Sequence, residues 1–252
     1  MLIVISEKAL LLVTGTGHHT GYWYAKHSEV ITSSQGNQIC PGLDYPMKIS
    51  DGSGDVIGDK PLVCGGEDSM PFSLRTQKNR LSSCYLFDGR EWKFHTNLKT
   101  ARSSSKGIAL NDKTLWIVGG YGNSGSLAST ELVHLDKTVE AGPELQQGVS
   151  SFCVMSHQNT ILITGGYQYK IGQKSNSVMI YDKSDIFHEP KVGSPMLKSR
   201  KQHACTIFNS IGHDNRPVAI IAGGFQSDAE LWDYTQQDSK WIQSKKTTPL
   251  LF

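Results

Sequence analysis

The stretch Trp116-Ile117-Val118-Gly119-Gly120 decides how the rest of this sequence is read. A short apolar run ended by two glycines fits a strand covered on both faces, followed by a turn that side chains would obstruct. One copy is only a turn signal. The pattern recurs as Leu62-Val63-Cys64-Gly65-Gly66, Leu162-Ile163-Thr164-Gly165-Gly166 and Ile220-Ile221-Ala222-Gly223-Gly224. Leu12-Val13-Thr14-Gly15-Thr16 keeps the first glycine and replaces the second. The first glycines (Gly15, Gly65, Gly119, Gly165 and Gly223) lie 50, 54, 46 and 58 residues apart. Self-similarity at such a period is the mark of a repeat architecture.

Each copy has a second run downstream: Ser28–Ile31, Ser83–Asp88, Glu131–Asp136, Ser177–Asp182 and Glu230–Asp233. These alternate and are rich in β-branched and aromatic residues, as strands are. Trp92 and Trp241 follow two of them, where a fourth, outer strand would set an aromatic against the neighbouring unit. Further apolar runs precede the glycines, at Gly107–Leu110, Ser151–Met155 and His203–Phe208. Four strands per unit, repeated about an axis, make a propeller blade. The expected fold is therefore all-β, a β-propeller of four-stranded blades. A single domain over 1–252 is expected, with repeats at about 10–57, 58–110, 111–155, 156–208 and 209–252.

From Leu10 to Trp241 the chain resembles the kelch-repeat family, within the group that includes galactose-oxidase-like propellers. The shared pattern is an apolar strand, Gly-Gly, a Tyr-Asp-type strand and a Trp, with a period near ~50 residues. The first, third and fourth copies lack the Trp. Cys40-Pro41-Gly42-Leu43, Cys64-Gly65-Gly66 and Cys84-Tyr85 look like an arrangement found in kelch proteins that occur in many copies in invertebrates. That likeness implies an extracellular origin. Kelch propellers usually have six or seven blades. Met1–Ser6 would supply the innermost strand of the first blade and close a ring of five. The rival expectation is a piece of a six-bladed ring, because the chain starts and stops inside a repeat.

The balance of 25 basic against 23 acidic residues, a net charge of +2, argues against a dedicated nucleic-acid surface. No run approaches the about 18 apolar residues of a membrane span, and Met1–Val13 lacks the features of a signal peptide. Galactose-oxidase-like copper sites include an adjacent Tyr-His pair, and this sequence has none. The closest histidine pair, His18-His19, sits in a Gly- and Thr-rich stretch. Sialidase-type boxes, a Gly-x-Ser-x-Gly elbow, a P-loop and a dinucleotide fingerprint are also missing. Asp88-Gly89 reads as the turn between two strands of a blade. A non-enzymatic protein without a cofactor is expected.

The five cysteines match no zinc spacing. They read either as buried small hydrophobes or, for Cys64 and Cys84 on consecutive strands of one blade, as a cross-strand disulfide in an oxidising compartment.

Function on a shared fold resides in the loops grafted onto it. In kelch proteins two loop sets converge on the channel mouth. One follows the glycines, with Glu67-Asp68, Tyr121, Tyr167 and Phe225; the other, 101–104 and 199–203, precedes the innermost strands. Arg102 and Arg200 fall where kelch substrate adaptors often hold peptides, with Ser103, Gln202 and His203 beside them. Arginine grips a carboxylate bidentately and tyrosine adds rigid contact area, which suits an acidic or polar peptide. The bland alternatives are that the arginines cap strand ends through carbonyl bonds and that the aromatics pack between blades. The expected role is a protein-interaction scaffold or adaptor. Alternatives are a carbohydrate-binding or degenerate galactose-oxidase-like propeller, and a fragment of a larger kelch protein.

Overall fold

The computed structural model describes residues 44–68, 79–209, 215–224, 226 and 228–244, and the backbone of four strands between residues 2 and 41. The chain divides into two compact units, Met1–Gln146 and Gln147–Phe252, where the repeats suggested one domain. Stacked repeats contact only their neighbours, so such a chain can part between any two of them.

Among the described residues unit 1 holds three four-stranded antiparallel sheets, each a simple meander. The first pairs Leu2–Ser6, Ala9–Gly17, Trp23–Thr32 and Gln38–Pro41. The second is Ser53–Ile57, Lys60–Cys64, Ser83–Phe87 and Trp92–Asn97. The third is Lys106–Asn111, Thr114–Val118, Thr130–His134 and Val139–Ala141. Unit 2 holds two more. One joins Cys153–His157, Thr160–Thr164, Val178–Asp182 and Lys191–Val192. The other joins His203–Asn209, Pro217–Gly223, Ala229–Trp232 and Ile242–Gln243.

The expected repeat boundaries are thus displaced by one strand. Ser53–Ile57, assigned by sequence to the first repeat, pairs with Lys60–Cys64 of the second. The reason is local: a tight turn at Gly58-Asp59, with Gly58 at φ 64°, folds the two strands into a hairpin.

The apolar second strand of each sheet is its buried centre. In Lys60–Cys64, Leu62 and Cys64 join a cluster with Ile57, Leu115, Ile117 and Val133. Val63 points the other way, into Tyr45, Ile49 and Trp92. This period-2 division explains why the strand has no polar face: both sides are covered. In unit 2, Leu162, Val178, Met196, Ala219, Ile221, Trp232 and Trp241 form the corresponding cluster. Trp241 packs at a tilt against Trp232 with ring centroids 5.4 Å apart, and its indole N–H donates to Ser194 O at 2.8 Å. Trp241, just ahead of the outer strand, therefore fastens one sheet to the next. Asp88 Oδ1 accepts the amides of Arg90 and Glu91, and Gly89 has φ 93°, forming the expected turn.

The glycine pairs have a specific steric cause. Gly65 and Gly66 have φ of 67° and 106°, conformations that disfavour L side chains. A Cβ on Gly65 would also lie 2.5 Å from Arg102 O. The Gly66 amide donates to that same carbonyl at 2.9 Å, and Gly166 repeats the bond to Arg200 O at 2.8 Å. Gly65→Ala combines a left-handed conformation with a backbone clash. It is expected to cost about 2 kcal/mol, read as a lower urea midpoint at unchanged slope. An unshifted midpoint would mean that the turn relaxes without penalty.

Candidate functional site

In unit 1 the segments after the glycine pairs are held to the segments that precede the first strands. Glu67-Asp68 pairs with Ile49-Ser50, and Tyr121 exchanges both backbone hydrogen bonds with Ser103 at 3.1 and 2.7 Å. Ser103 Oγ then donates to Glu67 Oε1 at 2.9 Å. The Arg80 guanidinium lies 4.5 Å from the Tyr121 ring centroid and donates to Asn123 Oδ1 at 3.3 Å. Its Nε is 4.0 Å from Glu67 Oε1. The result is a half-buried tyrosine with a cation on its face, a favourable arrangement for the ring quadrupole.

Unit 2 repeats the construction with other residues. Tyr167 exchanges backbone bonds with Ser150 at 3.1 and 2.7 Å, and Lys201 Nζ lies 4.3 Å from its ring centroid. Gln202 is exposed, with its amide donating to Ser151 O at 2.7 Å. His203 is buried, its Nε2 2.9 Å from Thr164 Oγ1.

Arg102 and Arg200 require a correction, because both are 0 % exposed and their donors are occupied. Arg102 Nε donates to Thr100 O, Nη1 to Gly119 O and Ser129 O at 2.8 Å each, and Nη2 to Glu131 Oε1 at 2.6 Å. Glu131 in turn accepts the amides of Lys99 at 2.6 Å and Thr100 at 3.0 Å. Arg200 places Nε and Nη2 on Glu230 Oε1 at 3.0 and 2.8 Å, Nη2 on Asp228 Oδ1 at 2.7 Å and Nη1 on Gly223 O at 2.7 Å. Glu230 accepts the Leu197 amide at 2.7 Å. Each arginine–glutamate pair ties the segment entering a sheet to that sheet's second and third strands. The Lys198 ammonium, and then Arg200, hold the Asp228 carboxyl below its ordinary value. Neither guanidinium has a donor to offer a ligand, and these residues serve as struts. Ser103 and His203 are likewise interior. Tyr121, Tyr167 and Gln202 reach the surface, and Phe225 and the His18-His19 pair lie outside the described residues.

Sequence reasoning missed Arg80 as a site residue and the two glutamates as strut partners. A signal was present for the glutamates: each is the second residue of a third strand, followed by Leu, 29 or 30 residues after its arginine. Cys64 and Cys84, directly opposite in register, are disulfide-bonded with Cα atoms 4.0 Å apart. A second disulfide, Cys153–Cys205, joins the first strands of the two sheets of unit 2. Among the described residues no group of three or more His, Cys, Asp and Glu side chains gathers as a metal site, and no helix is long and apolar enough to cross a membrane.

This architecture of four-stranded antiparallel meanders is that of the β-propeller class. It is similar to the solved structure of YjhT, a propeller-type fold, with a TM-score of 0.77 and 11% identity over 97% of this chain and 83% of that chain. No protein-family model and no curated protein matches the sequence. The likeness is one of fold.

Proposed function

We propose that this chain is a kelch-type propeller acting as a non-enzymatic protein-interaction scaffold, through the loops that follow its glycine pairs. On this reading the four-stranded sheets are kelch blades, marked by Gly-Gly and, in two of them, by Trp92 and Trp241. The observation that carries the reading is the pairing of Tyr121 with Ser103 and of Tyr167 with Ser150. In each unit a loop is fixed by two backbone hydrogen bonds and presents a tyrosine with a cation on its ring. Rigid aromatic surface with adjacent charge is what interface hot spots are made of, and pre-organised loops lose little entropy on binding.

The test is cross-linked affinity capture with the native chain, a Tyr121→Ala/Tyr167→Ala variant and a Phe94→Ser control on an outer strand. A partner recovered with the native chain and the control, and reduced at least about tenfold with the tyrosine variant, is the expected result. Equal recovery by all three would overturn the reading, as would stoichiometric copper in the purified protein.

A further inference from the structure

The sheet that begins with Cys153–His157 carries a cleft of about 410 Å³ at the end opposite Gly165-Gly166. Its walls come from Asn159 and Thr160, where the second strand begins, from the end of the third strand at Asp182, and from Lys191, where the outer strand starts. His188 and Glu189 complete it. Small-molecule sites occupy roughly 300–1,000 Å³. The rim is held in place: Lys183 N donates to Asn159 O at 2.8 Å and Asp185 N to Asp182 O at 3.2 Å, and Ile186 is buried.

Asp182 is the most constrained group in the cleft. Its Oδ1 accepts Asn159 Nδ2 and Ser184 Oγ at 2.6 Å each, and the Ser184 amide at 2.9 Å. Among the described residues Oδ2 is left without a partner. The Ser184 hydroxyl and amide, and then Lys191 and His188, hold this carboxyl below its ordinary value. Lys191 thus feels Asp182 without pairing to it. Among the described residues the side chains of His188, Glu189 and Lys191 form no hydrogen bond or ion pair. Single exposed charges are ordinary on a protein surface. Here both signs line one concavity, and one of the carboxylates is clamped.

We propose that this cleft binds a small zwitterion of the α-amino acid class, with its ammonium on Asp182 Oδ2 and Glu189 and its carboxylate on Lys191 and His188. A simple anion would be set against two carboxylates, and a simple cation against Lys191. A neutral sugar would cover these charges without balancing them, which costs free energy. A zwitterion brings both opposite charges on one short frame. The clamped Asp182 loses little freedom when it binds. The cleft lies apart from the loops that follow the glycine pairs, so the proposal stands independently of the scaffold reading.

The test is isothermal titration calorimetry of the whole chain with the common L-amino acids, their methyl esters and N-acetyl forms, and with glucose and galactose. The variants are Asp182→Asn, Lys191→Gln and, as a control, Asp136→Asn, whose carboxylate accepts the amide and hydroxyl of Thr138 in a matching turn of another sheet. Lys191→Gln leaves the Ser184 turn untouched, which keeps the test open if Asp182→Asn fails to fold. At least one amino acid should bind with a Kd of about 1 mM or tighter. Its affinity should fall at least about tenfold when either of its charges is capped and in either cleft variant, weaken with added salt, and stay unchanged in Asp136→Asn. The proposal is overturned if no amino acid binds at that level, if capped forms bind as well as the free amino acid, or if either folded cleft variant retains full affinity. An equal loss in Asp136→Asn, or binding of a sugar without any amino acid, would overturn it as well.

Discussion

Arg102→Met is expected to lower stability by about 3–5 kcal/mol, because it leaves the Glu131 carboxylate buried without its cation. The glutamate keeps the Lys99 and Thr100 amides but loses the guanidinium that neutralised it. At the same time the carbonyls of Gly119 and Ser129 lose their donor. Arg102→Lys should recover only part of the loss, since an ammonium cannot reach those acceptors in the same fork. Removing both charges in Arg102→Met/Glu131→Gln should be less damaging than the single change predicts by addition, which a double-mutant cycle from urea denaturation measures. If Arg102 were instead a surface ligand contact, its replacement would leave the urea midpoint unmoved. That result would refute the strut assignment.

The second large effect concerns the Cys153–Cys205 bond. The cysteines are 52 residues apart, on the first strands of neighbouring sheets, so the bond closes a loop that spans a whole repeat. Chain entropy for a loop of that size predicts a loss of about 4 kcal/mol for Cys153→Ala/Cys205→Ala, and about 3 kcal/mol for the shorter closure at Cys64–Cys84. Reduction of the native chain should bring its urea midpoint below that of the double variant, since reduction opens the Cys64–Cys84 bond too. An unchanged midpoint after complete reduction, verified by thiol titration, would show that the sheets are held without either bond.

Together the struts and disulfides indicate where this fold obtains its cohesion. Each sheet is a meander whose internal pairing is local, while neighbouring sheets are joined by the clusters around Leu115 and Leu162, by Trp241 and by Cys153–Cys205. The loops carry the surviving candidate contacts. Tyr121 and Tyr167 are each fixed by backbone bonds and faced by a cation.

By itself the sequence determined the apolar second strand and the third strand of the sheets and the turns that end them, but not the boundaries between repeats. These depend on residues close together: apolar runs, period-2 alternation and glycine pairs whose positive φ is a local steric requirement. The repeat of Gly-Gly at about 50-residue spacing carried this from single strands to an architecture. What the arginines do was decided only by tertiary structure. The kelch-like pattern sets Arg102 and Arg200 at a peptide-binding position, with capping of strand ends through carbonyl bonds as the alternative, and the sequence does not choose between the two. They are buried because a glutamate 29 or 30 residues further on crosses back beside each of them. The Cys153–Cys205 pairing was hidden for the same reason. Its two members are a repeat apart, and only the contact between neighbouring first strands brings their sulfurs together. Local conformation follows from neighbours in sequence, whereas exposure and pairing follow from neighbours in space.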